Sequence, residues 1–104
     1  MAQLNVFLCF LVLLSFTSFC QGAKWWCVAD EWATDVTLSA FLDRACNRGY
    51  CIDIKPGKPC FLPPTIRSHA SYVLNLMYTR TSKCPPHLGI RVQNDPSYGR
   101  CKYR

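Results

Sequence analysis

The hydrophobic pattern divides the chain into an apolar leader and a segment of mixed character. Leu4 to Phe19 is almost wholly apolar, centred on Val6-Phe7-Leu8-Cys9-Phe10-Leu11-Val12-Leu13-Leu14. A membrane span needs about 20 such residues, and Ser15, Thr17 and Ser18 already dilute this run. Cys20 and Gly22 stand at the small-residue positions before a cleavage point. Residues 1–22 are therefore expected to be a secretory signal peptide, although the n-region carries no Lys or Arg. The mature domain is expected to span residues 23–104.

Within that domain Trp25-Trp26-Cys27-Val28-Ala29 reads as a short strand or anchored arm, and Asp30 to Thr34 reads as a loop. Thr34 or Asp35 can cap a helix. Leu38, Phe41, Leu42 and Ala45 then recur at three–four spacing, which marks one buried helical face. A first helix is predicted from Val36 to Asn47, with Gly49 as its stop. Pro56, Pro59, Pro63 and Pro64 make Cys51 to Pro64 irregular. A second helix is predicted from Thr65 to Arg80, opened by Pro63 and Pro64, with a stripe of Ile66, Ala70, Val73 and Met77 widened by Leu74 and Tyr78. Gly89-Ile90-Arg91-Val92-Gln93 alternates and is placed to pair with the Cys27 segment. Asp95-Pro96-Ser97-Tyr98-Gly99 has the composition of a turn. The predicted class is a small, disulfide-rich α+β fold: two packed helices, a small antiparallel sheet and long coil segments.

The cysteines sharpen this. The sequence has eight. Cys9 and Cys20 fall in the leader, and Cys27, Cys46, Cys51, Cys60, Cys84 and Cys101 remain. An even set on an exported chain of this size points to three disulfides, although six cysteines allow fifteen pairings. The formal charge of +6 lies wholly in the mature domain. Scattered Lys and Arg on an exported protein argue against a nucleic-acid partner and leave weak attraction to acidic polysaccharide or membrane surfaces. The chain stops at Cys101-Lys102-Tyr103-Arg104 without the spacer and apolar tail of a lipid anchor. A free, monomeric, extracellular product with no membrane anchor is expected.

Chemistry that breaks bonds finds little support. Six carboxylates are present, Asp30, Glu31, Asp35, Asp43, Asp53 and Asp95, and glycoside hydrolysis needs two held across the sugar. Capping explains Asp35, solvent exposure Asp43, and an Asx-turn Asp95. His69 adjoins Ser68, but helical neighbours point apart, so the two do not form a nucleophile–base pair; a hydrogen bond from His69 to a loop carbonyl is the simpler reading. Neither a metal nor a cofactor is expected. What is left over is aromatic: Trp25, Trp26, Trp32, Phe61, Tyr50, Tyr72, Tyr98 and Tyr103 are more rings than the two predicted stripes consume. Exposed rings with polar tips suit sugar, whose apolar C–H face lies on a ring while its hydroxyls find polar partners. The alternative is that these rings close a small, loop-rich core.

Five motifs carry a resemblance. Trp26-Cys27-Val28-Ala29, Leu38 to Cys46, Pro56-Gly57-x-Pro59-Cys60-Phe61, His69-Ala70-Ser71-Tyr72 with Asn75 and Tyr78, and Asp95-Pro96-Ser97-Tyr98-Gly99-x-Cys101 occur in one order. Together they resemble plant carbohydrate-binding module family 43, the X8 domain, over almost all of the mature segment. The resemblance implies pairings Cys27–Cys84, Cys46–Cys51 and Cys60–Cys101. It also implies a non-catalytic domain that binds β-1,3-glucan such as callose in the cell wall. Its candidate contacts here are the rings Trp26, Phe61, Tyr72 and Tyr98 and the polar Arg67, Asn75 and Asp95. This sequence differs from the family pattern at Met77, at Leu62-Pro63-Pro64-Thr65, at Pro85-Pro86-His87 and in a Cys46–Cys51 loop one residue shorter. Two other functions fit the composition: a cationic, cysteine-rich defence protein, and a relative of the family without glucan binding.

Overall fold

A computed structural model describes residues 23–104; the expected signal peptide, residues 1–22, lies outside the described residues. Strand β1 (Trp26–Ala29) comes first, followed by helix α1 (Asp35–Asn47), a short 3-10 turn (Ile52–Ile54), helix α2 (Ile66–Thr81) and strand β2 (Gly89–Val92). The strands pair antiparallel, with Trp26 opposite Val92 and Ala29 opposite Gly89. The expected α+β class is thus realised, and the three disulfides are Cys27–Cys84, Cys46–Cys51 and Cys60–Cys101, as the resemblance implied. No helix among the described residues is long and apolar enough to cross a membrane.

Local chemistry sets both helix starts. Thr34 caps α1, its hydroxyl accepting from the Thr37 amide at 3.2 Å, and Thr65 caps α2 by accepting from the Ser68 amide at 3.1 Å. The second helix therefore begins and ends one residue later than the apolar pattern predicts, because Thr65 serves as its cap. The stretch between Cys51 and Pro64 is not irregular throughout, since Ile52–Ile54 closes one tight turn. Helix α1 buries Leu38, Phe41 and Ala45, the expected face. Helix α2 buries Ala70, Val73 and Leu74 from the predicted stripe, and also Tyr72 and Asn75. The arc is wider because α2 packs against α1 on one side and β1 on another. Ile66, the first residue of the stripe, remains 38% exposed.

The contact between β1 and α2 is chemically specific. Alternate amides of a strand point the same way. Those of Trp26 and Val28 lie on the β2 side, and those of Cys27 and Ala29 face α2. Asn75 Oδ1 accepts from the Cys27 amide at 3.0 Å and Ser71 Oγ accepts from the Ala29 amide at 2.9 Å. The match is metric: two strand residues advance about 6.7 Å and four helical residues about 6 Å. Asn75 Nδ2 also donates to the Arg104 carbonyl at 2.8 Å, tying the C-terminus to the same point. Both faces of this buried amide are thus satisfied, as burial demands.

Two more constraints complete the core. Gly89 faces the Cys27–Cys84 bridge so closely that an added Cβ would lie 2.8 Å from Cys27 Sγ and 2.9 Å from Cys84 Sγ. Tyr72 packs edge-on against Tyr103, ring centroids 5.3 Å apart, and donates its hydroxyl to Asp53 Oδ2 at 2.6 Å. Burial, then the hydrogen bond to Asp53 and the Asp53 charge, push the Tyr72 phenol up to about 12. Burial, with the neighbouring Tyr98 and Tyr72, raises that of Tyr103 too.

Three predictions follow from this packing. Gly89→Ala is expected to lower unfolding free energy by about 1–3 kcal/mol in a urea titration, through overpacking against the bridge. Removing Cys27–Cys84, which closes a separation of 57 residues, is expected to cost about 4 kcal/mol by chain entropy, against about 2 for the five-residue Cys46–Cys51 span; paired Cys→Ser variants measure both. Tyr72 and Tyr103 are neutral in the fold, and their folded pKa values lie above the unfolded value of about 10. Their contribution is therefore complete below pH of about 10 and is lost as pH rises above it, for Tyr72 through about 12. The melting temperature should fall across that window, and less steeply in Tyr72→Phe.

Candidate functional site

The Cys60–Cys101 bridge draws together two segments that are 41 residues apart. Around Cys60 lie Lys58, Pro59, Leu62 and Pro63; immediately before Cys101 lie Tyr98, Gly99 and Arg100. These residues line an open groove of about 420 Å³. Its walls are apolar, from two prolines, Leu62 and the Tyr98 ring, and a cation stands on each segment. The Leu62–Pro63 peptide is cis, and the Thr65 amide donates to the Pro63 carbonyl at 2.8 Å, so this wall runs directly into the cap of α2. The opposite wall is a tight turn. Tyr98 and Cys101 exchange backbone hydrogen bonds of 3.0 and 2.8 Å, and Gly99 between them has φ +52°, a left-handed value that costs glycine little.

The sides of the groove are fixed from below by α2. Ser68 Oγ and Tyr98 Oη are 3.1 Å apart, which orients the phenol ring. His69 Nε2 donates to the Phe61 carbonyl at 2.6 Å, and its ring lies 5.6 Å from that of Phe61. His69 thus bonds a loop carbonyl, as its neighbours in sequence suggested, and it holds the 58–63 segment in place. Asp95 accepts from the Ser97 amide at 2.9 Å, the expected Asx-turn. The hydrogen bonds from Ser97, helped by Lys24 and Lys102, hold its carboxyl below the usual carboxylate range. Ser97 Oγ in turn accepts from the Tyr103 amide at 2.8 Å, so the turn that carries Tyr98 is pinned at both ends.

The sequence-derived candidates separate into three groups. Tyr98 lines the groove, half-buried. Phe61 is half-buried against His69 and is not among the lining residues, and Asp95 is exposed on the turn before Tyr98. Trp26, Tyr72 and Asn75 are 7%, 8% and 2% exposed and belong to the core. The expectation that the Trp26 and Tyr72 rings face water is corrected by the packing. Trp26 lies in the β1–β2 sheet, its indole N–H buried without a hydrogen-bond partner among the described residues. Tyr72 is clamped between Asp53 and Tyr103, and both polar ends of Asn75 are used by backbone. Arg67 is half-buried and spans two carbonyls, Nη1 to Asp30 at 2.7 Å and Nη2 to Ala33 at 2.5 Å; its guanidinium braces a turn.

The groove residues that sequence reasoning missed are Lys58, Pro59, Leu62, Pro63, Gly99 and Arg100. Pro59 and Gly99 stand in the motifs of the resemblance, but nothing local joins the two segments. The signal that finds them is the Cys60–Cys101 pairing, which obliges the neighbours of each cysteine to meet.

Comparison with known proteins places the chain in a family. The X8 domain family matches residues 25–86. Among curated relatives, glucan endo-1,3-beta-glucosidase 12 of Arabidopsis thaliana is 38% identical over 87 residues, covering 77% of this chain and 16% of the relative. Plasmodesmata callose-binding protein 1 of the same plant is 32% identical over 99 residues, 89% of this chain and 48% of the relative. The major pollen allergen Ole e 10 of Olea europaea is 36% identical over 90 residues, 80% of this chain and 73% of the relative. The chain spans about a sixth of the length of the glucosidase and about half of the callose-binding protein. On the family match, on the three bridges and on the identity to a relative of which it covers nearly three quarters, this chain belongs to the X8 domain family.

Proposed function

We propose that this protein is an exported, non-catalytic glycan-binding module that holds β-1,3-glucan in the groove beside the Cys60–Cys101 bridge. The observation that carries this reading is the groove itself: a half-buried Tyr98 ring fixed by Ser68, apolar prolines opposite it, and Lys58 and Arg100 at its rim. A sugar unit laid on Tyr98 would meet apolar surface along its C–H face and charged donors for its hydroxyl oxygens, the usual mixture in a small-molecule site. Support for the ligand class comes from the names of relatives, one a callose-binding protein and several glucan endo-1,3-beta-glucosidases. The part those glucosidases share with this chain is small, 16% and 17% of their lengths in two cases.

Binding without hydrolysis is supported by the lining. No Asp, Glu or His is among the residues that form the groove, and hydrolysis of a glycosidic bond requires a carboxylic acid beside the leaving oxygen. Of the carboxylates nearest in the chain, Asp95 accepts from the Ser97 amide and Asp53 accepts from the Tyr72 hydroxyl. Cleavage of a leader at residues 1–22, a monomeric state and residence in the cell wall complete the reading, supported by the apolar leader and the three bridges.

Affinity electrophoresis of the oxidised protein in gels containing soluble β-1,3-glucan, with β-1,4-glucan as control, tests it. Retardation is expected only in the β-1,3 gel. Tyr98→Ala should weaken binding roughly tenfold, the effect of losing about 1.4 kcal/mol, and Tyr72→Phe should leave it unchanged. Equal mobility of the wild type in both gels removes the proposal, and release of reducing sugar removes its non-catalytic half.

A further inference from the structure

Trp32 is 83% exposed, the most exposed of the large apolar side chains among the described residues. Its turn is nonetheless held from every side. The Asp30 amide donates to the Leu88 carbonyl at 2.9 Å, and the Ala33 amide to the Asp30 carbonyl at 3.0 Å. The Trp32 amide donates to Asp30 Oδ1 at 3.3 Å. Arg67 closes the turn by donating to both the Asp30 and Ala33 carbonyls. An isolated exposed ring is ordinary on a protein surface. A ring on a backbone braced by a half-buried guanidinium is different, because the backbone part of the cost of ordering it on contact with a ligand has already been met in the fold.

Next to this turn lies a second open groove, of about 400 Å³, lined by Asp35, Val36, Ser39, Ala40, Asp43 and Ile66. Asp35, Ser39 and Asp43 recur every four residues along α1, so they form one row of oxygen atoms spaced about 6 Å apart along the axis. Val36, 81% exposed, and Ile66, 38% exposed, give the same groove apolar surface. No side-chain hydrogen bond engages the Asp35 or Asp43 carboxylates among the described residues. The combination of flat ring, apolar ledge and a row of free acceptors suits a neutral polyhydroxylated chain, whose hydroxyls donate to the carboxylates.

The two grooves are neighbours. Pro63 lines the first and Ile66 the second, and three residues of chain span at most about 11 Å. Along the chain they are linked by the exposed ridge Pro63-Pro64-Thr65, at the cap of α2. Arg67, one residue beyond Ile66, braces the Trp32 turn, and Ser68, next in sequence, orients Tyr98. The first turn of α2 therefore positions both surfaces together.

We propose that the glycan-binding surface does not end at the Tyr98 groove but continues over this ridge to Val36, Asp43 and Trp32, so that the protein takes an extended stretch of β-glucan chain. This rests on the glycan-binding reading above and deepens it. Arg67 acts on it as a positioning residue, through the Trp32 turn. Calorimetric titration of the oxidised full domain with a linear β-1,3-glucotriose and with a long oligomer of the same linkage tests it. Wild-type affinity is expected to rise with length. Trp32→Ala should flatten that rise, weakening the long oligomer roughly five- to tenfold, and Tyr98→Ala should lower affinity at both lengths. Trp25→Ala, an exposed tryptophan at β1 stacked on Arg91, serves as control and should change neither. The long oligomer should also shield tryptophan fluorescence from acrylamide in wild type and not in Trp32→Phe carrying a Val36→Asp change. If Trp32→Ala binds the long oligomer as wild type does while Tyr98→Ala loses it, the extension is wrong and the groove stands. If wild type binds neither length, the extension and the glycan-binding reading fall together.

Discussion

A strand of four residues with only one partner strand cannot hold itself together, and the solution to that problem organises this molecule. One edge of β1 is filled by β2. The other is filled by side chains of a helix: Asn75 and Ser71 accept from the amides of Cys27 and Ala29. A strand whose edges are both satisfied exposes no template for pairing with another chain. The Cys27–Cys84 bridge then locks the same strand to the segment that leads into β2, and Gly89 is the only residue small enough to lie against its sulfurs. Helix α2 is thereby fixed in rotation as well as in position, because a turn of one residue would carry both acceptors away from the strand.

A helix so fixed can serve as a platform. Its first two turns carry four side chains with different tasks: Arg67 braces the Asp30–Ala33 turn, Ser68 orients Tyr98, His69 holds the Phe61 carbonyl, and Ser71 holds β1. Loops that are long and poor in regular structure would otherwise be mobile. Here three of them, at Asp30–Ala33, Phe61 and Tyr98, are tied by helix side chains to one rigid element, and the Cys60–Cys101 bridge ties two of them to each other. The groove and the Trp32 turn are therefore properties of the scaffold, not of the loops that display them. A small domain with a limited core obtains a rigid, open surface in this way.

The buried polar groups fit the same economy. Tyr72 and Asp53, and Asn75 with the Cys27 amide and the Arg104 carbonyl, are satisfied pairs inside a core of modest size. Each links segments distant in sequence, so each specifies the fold as well as stabilising it. The residues of the second-helix motif that look functional by their polarity are thus divided by depth, since those facing β1 and the Asp53 turn are structural.

The sequence determined what neighbouring residues settle between themselves. The apolar stripe of α1, a cap at Thr34 or Asp35, the Asx-turn at Asp95 and the helix-surface role of His69 all follow from spacings of a few residues, and the even set of cysteines gives three bridges. Such spacings control backbone hydrogen bonding directly. The pairing of the cysteines was not among these results, because the residues alone left fifteen arrangements and only likeness to a family chose between them. The tertiary structure decided the rest. Trp26 and Tyr72 have the same ring chemistry as Tyr98, and nothing local distinguishes a ring that closes the core from one that lines a groove. Depth depends on which segments meet, and here the Cys60–Cys101 bridge, which closes a separation of 41 residues, brings Lys58 and Leu62 to Arg100. A surface made by a long-range closure has no signature in the period of either segment that forms it.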